Sequence, residues 1–278
     1  MLKGPFLDRT WMGQNSDYNS SDIVMLGMPF DGTVSNRPGS RFAPEQIRLA
    51  SWGLEEYSPY FDKELSDVNF HDVGDLEFPL GNTYKSLDLI EDNVCQIYKD
   101  GKKVFGIGGE HLVTLPEVKA VSKFYKNLAV VHFDAHTDLR EEYLGEEMSH
   151  SAVIRHISKF VDPHNIKQIG IRSGMKEEWE FMKKYNTLCH EYSELDVLKN
   201  KPVFVTVDVD CLDTSIMPGT GTPEAGGMTF DELADWFKYL RDFNIVGADV
   251  VELAPDYDAS GVSTAVAAKV IRELLMIL

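Results

Sequence analysis

The sequence predicts an α/β protein built on a mainly parallel β-sheet. Short runs rich in Val, Ile and Leu alternate with helical patterns along nearly the whole chain, which is typical of parallel strands joined by helices. Several runs are almost continuously apolar, as expected for central strands covered on both faces. No repeat, low-complexity tract or Pro/Ser-rich linker divides the sequence, so we expect residues 1–278 to form a single domain.

Eight segments are predicted to form strands, separated by segments that can form a helix or a loop. In chain order they are residues 22–28, 68–74, 103–109, 128–134, 166–171, 187–192, 203–210 and 244–252. Helices are predicted near residues 83–100, 114–126, 176–185, 229–241 and 261–278. Thr229 and Glu232 have the spacing of a capping box at the start of the fourth helix.

The charge and cysteine content limit the class of protein and its partners. With 27 basic and 45 acidic residues, the formal net charge of −18 opposes binding to nucleic acid or anionic membranes and favours cationic ligands. The apolar helix at 261–278 contains charged residues, so we expect it to pack on the core and not to span a membrane. The three widely spaced cysteines indicate neither a disulfide framework nor a structural zinc site. With no signal peptide evident, these features favour the cytoplasm.

Acidic and imidazole side chains occur where four predicted strands end. In open α/β sheets, ligands bind just beyond the carboxyl ends of the strands. The residues at these four ends are His111, Asp134, Asp208 with Asp210, and Glu252. Their placement predicts one site at this edge of the sheet.

The motif FDAHTD at 133–138 adds His136 and Asp138 to this set. Alternate residues of an extended chain share a face, so Asp134, His136 and Asp138 can converge, as can the Asp208 and Asp210 pair. Clustered carboxylates repel one another and need a positive partner. Four carboxylates match two divalent cations in charge, and carboxylate ligands with some imidazole suit Mn²⁺. Two such metals about 3.5–4 Å apart can share a hydroxide nucleophile near neutral pH.

Other residues have structural interpretations. His150 is a loop residue that, near two metals, becomes a candidate proton carrier. His132 is predicted to be a core histidine, and Asp72 and Asp75 to shape a turn. Cys211 is expected to be buried as a small apolar side chain. The segment 37–48 predicts a turn leading into a helix, with structural ion pairs made by Arg37, Arg41 and Arg48.

Other ligand-binding and catalytic motifs do not match. An EF-hand loop starting at Asp134 would place Leu139 and Gly145 where Gly and Glu are required. The glycine-rich GIGGEHL at 106–112 lacks the G-K-[ST] of a phosphate-binding loop. No G-x-S-x-G elbow or cysteine nucleophile pattern is present.

Several motifs, in order along nearly the whole chain, resemble those of the ureohydrolases, the family that includes arginase and agmatinase. They are SNRPGSRFAPEQIR, GIGGEHL, HFDAHTD, VTVDVDCLD, PGTGTPEAGG and VVELAPDYD. Departures from the family pattern occur at Glu110, Leu112 and Thr214, and none removes an expected metal ligand.

The resemblance implies a three-layer α/β/α fold around an eight-stranded parallel sheet, assembled as trimers or hexamers, with two Mn²⁺ per chain. It assigns His111, Asp134, Asp138 and Asp208 to one metal, and His136, Asp134, Asp208 and Asp210 to the other, with Asp134 and Asp208 as bridges. Glu252 matches the residue that binds the guanidinium of the substrate, and His150 matches a proton-transfer residue. His150, Glu252 and Asp138 are therefore the candidate catalytic residues.

The implied reaction is hydrolysis of a guanidino compound to urea and an amine. Segment 139–155 resembles bacterial members that act on agmatine, and its four glutamates, Glu141, Glu142, Glu146 and Glu147, suit a cationic tail. Guanidinobutyrate and arginine remain alternative substrates, and Arg140 could pair with a substrate carboxylate. A single-metal deacetylase of the same general fold and a non-catalytic metal-binding protein are the alternatives from other classes.

Overall fold

The computed structural model describes residues 10–13 and 16–278, and its centre is an eight-stranded parallel sheet. In chain order the strands are β1 (Ile23–Met28), β2 (Tyr57–Ser58), β3 (Lys63–Glu64), β4 (Phe70–Asp75), β5 (Lys103–Gly108), β6 (Ala129–Phe133), β7 (Ile166–Ile169), β8 (Leu188–Cys189), β9 (Pro202–Asp208) and β10 (Asn244–Val251). Strands β2 and β3 form a separate antiparallel pair. The others lie in the order β4-β1-β5-β10-β9-β6-β7-β8, and all their pairings are parallel. The predicted sheet is confirmed.

Helices cover both faces of the sheet. They are α1 (Ala43–Ser51), α2 (Thr83–Lys99), α3 (Thr114–Ser122), α4 (Val153–Ile157), α5 (Lys176–Tyr185), α6 (Phe230–Leu240) and α7 (Val262–Leu275). Helices α1, α6 and α7 contribute to the core on one face, and α2, α3 and α4 to the core on the other. The result is the predicted three-layer α/β/α arrangement.

Strand β1 shows why the central strands are apolar along their length. Ile23 and Met25 pack into one core, whereas Val24, Leu26 and Met28 pack into the core on the opposite face. Successive side chains of a strand point to opposite faces, so a strand between two helical layers buries both sets. All six residues of β1 are buried.

Several predicted boundaries differ from the structure. Strand β8 is only two residues long, because the chain after it turns into a 3₁₀ helix, Tyr192–Leu198. Strand β9 stops at Asp208 and a 3₁₀ turn, Val209–Cys211, follows. Helix α4 and the β2–β3 hairpin were not predicted. The Thr229–Glu232 capping box and the burial of Cys211 are confirmed.

The prediction that Asp72 and Asp75 shape a turn is wrong. Both lie on β4 and are buried, and both pair with the buried guanidinium of Arg48 from α1. Nε and Nη2 of Arg48 each donate a 2.8 Å hydrogen bond to the Asp72 carboxylate. Arg48 is therefore the structural ion-pair partner that was predicted, and it ties helix α1 to the edge strand.

The C-terminal helix α7 packs against α1 and the sheet, as its charged residues suggested. No helix within residues 10–13 and 16–278 combines the length and apolar character needed to cross a bilayer.

Candidate metal centre and substrate cavity

The four strands whose ends carry the predicted site residues are neighbours at the centre of the sheet. Their order is β5-β10-β9-β6, and all four are parallel, so their carboxyl ends meet at one edge. The chain leaves β5, forms α3 and returns to the sheet as β6, with a gap of two strands between β5 and β6. Strands β10 and β9, which come later in the sequence, fill this gap. Such a change in strand order is where open α/β sheets form their ligand crevices.

His111 lies at the middle of the first cluster of side chains. Its Nδ1 atom is 3.1 Å from Asp134 Oδ2, 3.2 Å from Asp138 Oδ2 and 3.4 Å from Asp208 Oδ2. This buried Nδ1 makes no hydrogen bond, although three carboxylate oxygens surround it. A nitrogen lone pair and three carboxylate oxygens directed at one another are the donor set of a divalent cation, so these residues fit a metal ion.

A second cluster adjoins the first through Asp134. His136 Nδ1 lies 3.0 Å from Asp210 Oδ2 and 3.4 Å from Asp134 Oδ1. Asp134 thus presents one carboxylate oxygen to each cluster, an arrangement in which two cations could share it. The side chains with the geometry of a possible metal site are His111, His132, Asp134 and Asp138 on one side, and Asp134, His136 and Asp210 on the other.

Loops, and not extended strands, bring these ligand atoms together. Strand β6 ends at Phe133, and Asp138 has a positive φ of 51°. Asp208 caps the 3₁₀ turn Val209–Cys211, and its side chain accepts a 2.8 Å hydrogen bond from the amide of Asp210 inside the turn. The two aspartates therefore face different clusters. The expectation of a shared extended face is wrong in its geometry, but the predicted residues do converge.

The electrostatics of the cluster also favour a bound cation. Burial and the neighbouring Asp210 and Asp134 carboxylates raise the pKa of Asp208 well above its ordinary value. Burial alone would lower the pKa of His136, but Asp210 and Asp134 raise it to about 12. Both shifts show an excess of negative charge that attracts protons. Divalent cations would neutralise that charge more effectively.

His132 is buried, as predicted, but it also supports Asp134. Its Nε2 lies 2.7 Å from Asp134 Oδ2. The Gln168 amide nitrogen, 3.1 Å away, donates to the ring Nδ1, so Nε2 carries the proton that Asp134 accepts. Such partners hold a ligating carboxylate in place. The alternation of His132 with Asp134 was visible in the sequence, but the Gln168 contact joins two strands and was not.

His150 and Glu252 lie together beside the clusters. His150 Nδ1 is 3.1 Å from Glu252 Oε1, and the backbone amide of His111 donates to the same oxygen at 2.8 Å. The Ser35 amide donates to His150 Nε2 at 3.1 Å, so the ring proton is on Nδ1 in this arrangement. Burial lowers the pKa of His150, but Glu252 and the nearby acids Asp138 and Glu110 raise it to about 9. These acids favour the ring with both nitrogens protonated, a state in which Nε2 can no longer accept from the Ser35 amide.

The backbone of Glu252 and a hydrogen-bond network through Thr33 distinguish the surroundings of the His150 and Glu252 pair. Glu252 adopts a φ of 68°, a strained conformation for a residue other than glycine. Both oxygens of Glu110 accept hydrogen bonds from Thr33, from its amide at 2.9 Å and from its hydroxyl. The Thr33 hydroxyl accepts in turn from the His150 amide at 3.1 Å. Thr33 and Ser35 belong to a loop that gave no sequence signal for this role.

A cavity of about 330 Å³ opens onto the clusters, within the usual range for small-molecule sites of about 300–1,000 Å³. Besides site residues, its lining includes Arg140, Tyr143, Ser173, Glu178 and Thr222. The guanidinium carbon of Arg140 lies over the Tyr143 ring, 5.3 Å from its centre. The four glutamates of segment 141–147 are exposed and absent from the lining. Besides Asp138 and Asp208, the acid that lines the cavity is Glu178, on α5, whose capping-box position was not singled out in the sequence.

The fold and site define a parallel α/β protein with a His/Asp metal-binding cluster at its central strand ends. The chain belongs to the arginase family, whose sequence profile matches residues 21–277. It is 48% identical over 277 residues to a protein named agmatinase from Bacillus subtilis strain 168, covering 96% of each chain.

Two solved structures show the same fold. The agmatine ureohydrolase of Thermoplasma volcanium is 30% identical, with a TM-score of 0.82 over 94% of this chain and 91% of that one. The proclavaminate amidino hydrolase of Streptomyces clavuligerus is 29% identical, with a TM-score of 0.87 over 98% of this chain and 97% of that one. The family expected from the sequence motifs is confirmed.

Proposed function

We propose that this chain is a hydrolase that uses two divalent metal ions, Mn²⁺ in the cell, to convert agmatine to putrescine and urea. The observation that carries the proposal is the pair of clusters joined by Asp134, with His111 Nδ1 surrounded by three carboxylates and left without a hydrogen bond. In a single-metal deacetylase, the second cluster, His136 with Asp210, would hold no metal ion.

The proposed ligands are those named from the sequence. His111, Asp134, Asp138 and Asp208 would hold one ion, and His136, Asp134, Asp208 and Asp210 the other. When bound, two such ions supply a nucleophile at neutral pH by lowering the pKa of water.

Glu252 is proposed to bind the substrate guanidinium. A carboxylate is a planar acceptor that matches the planar donor face of a guanidinium. The His111 amide and His150 both hold Oε1, which fixes the direction of the carboxylate beside the clusters. This contact would orient any guanidino substrate, so it does not select among tails.

His150 is proposed to carry the proton that the departing amine requires. It is buried beside Glu252, and its contacts with Glu252 and Ser35 place its two ring nitrogens between an acceptor and a donor. Asp138 contacts His111, and its charge helps to raise the pKa of His150.

The choice of agmatine is supported by the relatives of this chain and by Glu178. Relatives at 45–48% identity over 96% of the chain are named agmatinase. Glu178 is a buried carboxylate in the cavity wall, of the charge that a cationic tail requires. A substrate carboxylate would also find polar neighbours, because Arg140, Thr137, Ser151 and Ser173 line the cavity. Arg140 is the specific observation that favours the alternative substrate guanidinobutyrate.

The test combines a metal count with a substrate comparison. Metal-free protein is titrated with Mn²⁺, and bound metal is measured by elemental analysis. Urea release is then compared for agmatine, arginine and guanidinobutyrate. Two ions per chain with the highest kcat/KM on agmatine would support the proposal. One ion at saturation would contradict the two-metal site, and an equal or higher kcat/KM on arginine would contradict the substrate.

We also propose that the chain acts as one domain, forms a homotrimer or hexamer, and works in the cytoplasm. The first of these is supported by the central sheet, which draws its strands from β1 to β10 and so from most of the chain. Light scattering of the purified protein tests the assembly.

A further inference from the structure

A row of buried polar residues crosses the sheet beneath the candidate metal clusters. Paired positions on neighbouring strands place Gly106, Asp249, Thr206, His132 and Gln168 side by side, on β5, β10, β9, β6 and β7. The four side chains of this row are fully buried. At one end of this row, His132 and Gln168 support Asp134. The function of the Asp249 and Thr206 end is not explained by the proposed reaction.

This end of the row leads from His111 to a buried carboxyl pair. His111 Nε2 lies 2.9 Å from Thr206 Oγ1. Thr206 Oγ1 is 3.3 Å from Thr114 Oγ1, which donates a 2.7 Å hydrogen bond to Asp249 Oδ2. Asp249 adjoins Glu117, a fully buried acid on α3.

The carboxyl groups of Glu117 and Asp249 form a pair, and three of their four oxygens have no other partner among the described residues. Glu117 Oε1, Glu117 Oε2 and Asp249 Oδ1 make no hydrogen bond to another described group. Two ionised carboxylates in contact inside the protein would repel strongly, so the pair must hold a proton. Burial and the adjacent Asp249 raise the pKa of Glu117 well above its ordinary value, which places that proton on Glu117.

The position of this proton determines the direction of the hydrogen bonds that follow. If Glu117 donates to Asp249, then Asp249 can only accept from its remaining neighbours. Thr114 and Thr206 therefore direct their hydroxyl hydrogens towards Asp249. Thr206 Oγ1 then offers a lone pair to His111 Nε2, which must carry a hydrogen. His111 Nδ1 is left with its lone pair directed at the three carboxylates of the cluster.

We infer that Glu117, Asp249 and Thr206 are positioning residues that fix the tautomer and orientation of His111 for metal binding. This inference rests on the proposed function, since it takes His111 as a metal ligand. Partners of this kind orient a ligating histidine, and their loss typically costs about 10–100-fold in metal affinity. None of the three residues needs to contact substrate.

The test measures the dissociation constants of both Mn²⁺ ions in metal-free protein, not activity. Thr206→Val keeps the shape of the side chain but removes the hydroxyl, and should weaken one of the two ions by about 10–100-fold. Thr206→Ser restores the hydroxyl and should bind both ions as the wild type does. Glu117→Gln keeps a donor for Asp249 and should also bind normally, whereas Glu117→Met should weaken the same ion as Thr206→Val.

A matched control separates positioning from loss of stability. Glu273→Gln alters another fully buried acid, which pairs with Arg272 and Ser58 away from the clusters. It should lower the melting temperature of the metal-free protein and leave both dissociation constants unchanged. Circular dichroism of every variant establishes that it is folded.

The outcomes distinguish this inference from the proposed function. If His111→Asn loses one ion while folded Thr206→Val and Glu117→Met bind both ions with wild-type constants, the positioning role is wrong and the metal site stands. If His111→Asn itself retains both ions with unchanged constants, the proposed metal site is wrong.

Discussion

Nδ1 of His150 lies 3.1 Å from Oε1 of Glu252, the oxygen that also accepts the His111 amide hydrogen at 2.8 Å. The proposed proton carrier and the proposed guanidinium-binding acid are therefore in direct contact, and the backbone of the candidate metal ligand His111 also holds Glu252. Binding of a guanidinium to Glu252 would compete with His150 for this carboxylate. Such binding would free His150 Nδ1 from its contact with Glu252.

Replacing His150 should slow the reaction without removing metal. A positioned acid or base contributes typically about 10²–10⁴ in rate, so His150→Ala should lower kcat by that factor. Steady-state kinetics and elemental analysis on the same sample measure both effects. His156→Ala is the control, because His156 is also buried but its Nε2 donates to the Glu147 carbonyl, outside the cavity. An unchanged kcat in His150→Ala would refute the proton-transfer role.

Replacing different aspartates of the two clusters should remove different numbers of metal ions. Asp134 faces both His111 and His136, so Asp134→Ala should abolish the binding of both metals. Asp208→Ala should do the same if Asp208 also bridges. Asp210 contacts the His136 side, so Asp210→Ala should cost one metal only. Elemental analysis after Mn²⁺ loading gives the counts, and an Asp134→Ala protein that retains two ions would disprove the shared ligand.

Arg140 should influence which tail the cavity accepts. It lines the cavity, where its positive charge opposes an ammonium tail and attracts a carboxylate. Charges separated by several ångströms near a protein surface interact by about 1–4 kcal/mol, so Arg140→Gln should raise the agmatine-to-guanidinobutyrate ratio of kcat/KM by about tenfold or more. Arg155→Gln is the control, since Arg155 pairs with Glu141 outside this cavity. An unchanged ratio in Arg140→Gln would show that its charge does not act on the tail.

The ion pairs of Arg48 should be essential for stability. Removing one partner of a buried pair leaves an uncompensated charge and costs about 3–5 kcal/mol, and Arg48→Ala would remove the guanidinium that pairs with both Asp72 and Asp75. Arg241→Ala removes an exposed pairing with Asp242 and should cost less than about 1 kcal/mol. Urea denaturation of the metal-free proteins measures both. Equal losses in the two variants would contradict the structural role of Arg48.

The stabilising contribution of Asp258 should be lost in acid. Hydrogen bonds from Ser260 and Ser263 lower its pKa to about 2. A carboxyl whose pKa is lowered by folding stabilises the protein fully above its unfolded value of about 3.9, and this contribution is lost as pH falls towards 2. The stability difference between the wild type and Asp258→Asn should therefore be largest above about pH 4 and shrink between pH 4 and 2. Urea midpoints in chelator measure it, and a difference that stays constant over this range would refute the linkage.

The sequence predicted the sheet and the ligand residues because both follow from local patterns. Apolar runs identify central strands, and polar residues such as Asp134 and Glu252 interrupt them at their ends. It could not predict that Glu178 lines the cavity, or that Thr206 supports His111, because those contacts join residues distant in the chain. The same limitation explains Asp72, which resembled a turn residue until Arg48 from another element was placed beside it.

The spread of the site over four strands couples metal binding to the folding of most of the chain. His111 N and Glu252 Oε1 are in contact although 141 residues separate them in sequence. A chain truncated before β10 would lack Glu252 and the strand that lies between β5 and β9, so the two halves of the cluster would have no fixed spacing. The ions would bind the completed fold and not its fragments, and would stabilise it by RT ln(1 + [L]/Kd). In a cell short of metal, the same coupling would lower the folded fraction of the protein as well as its activity.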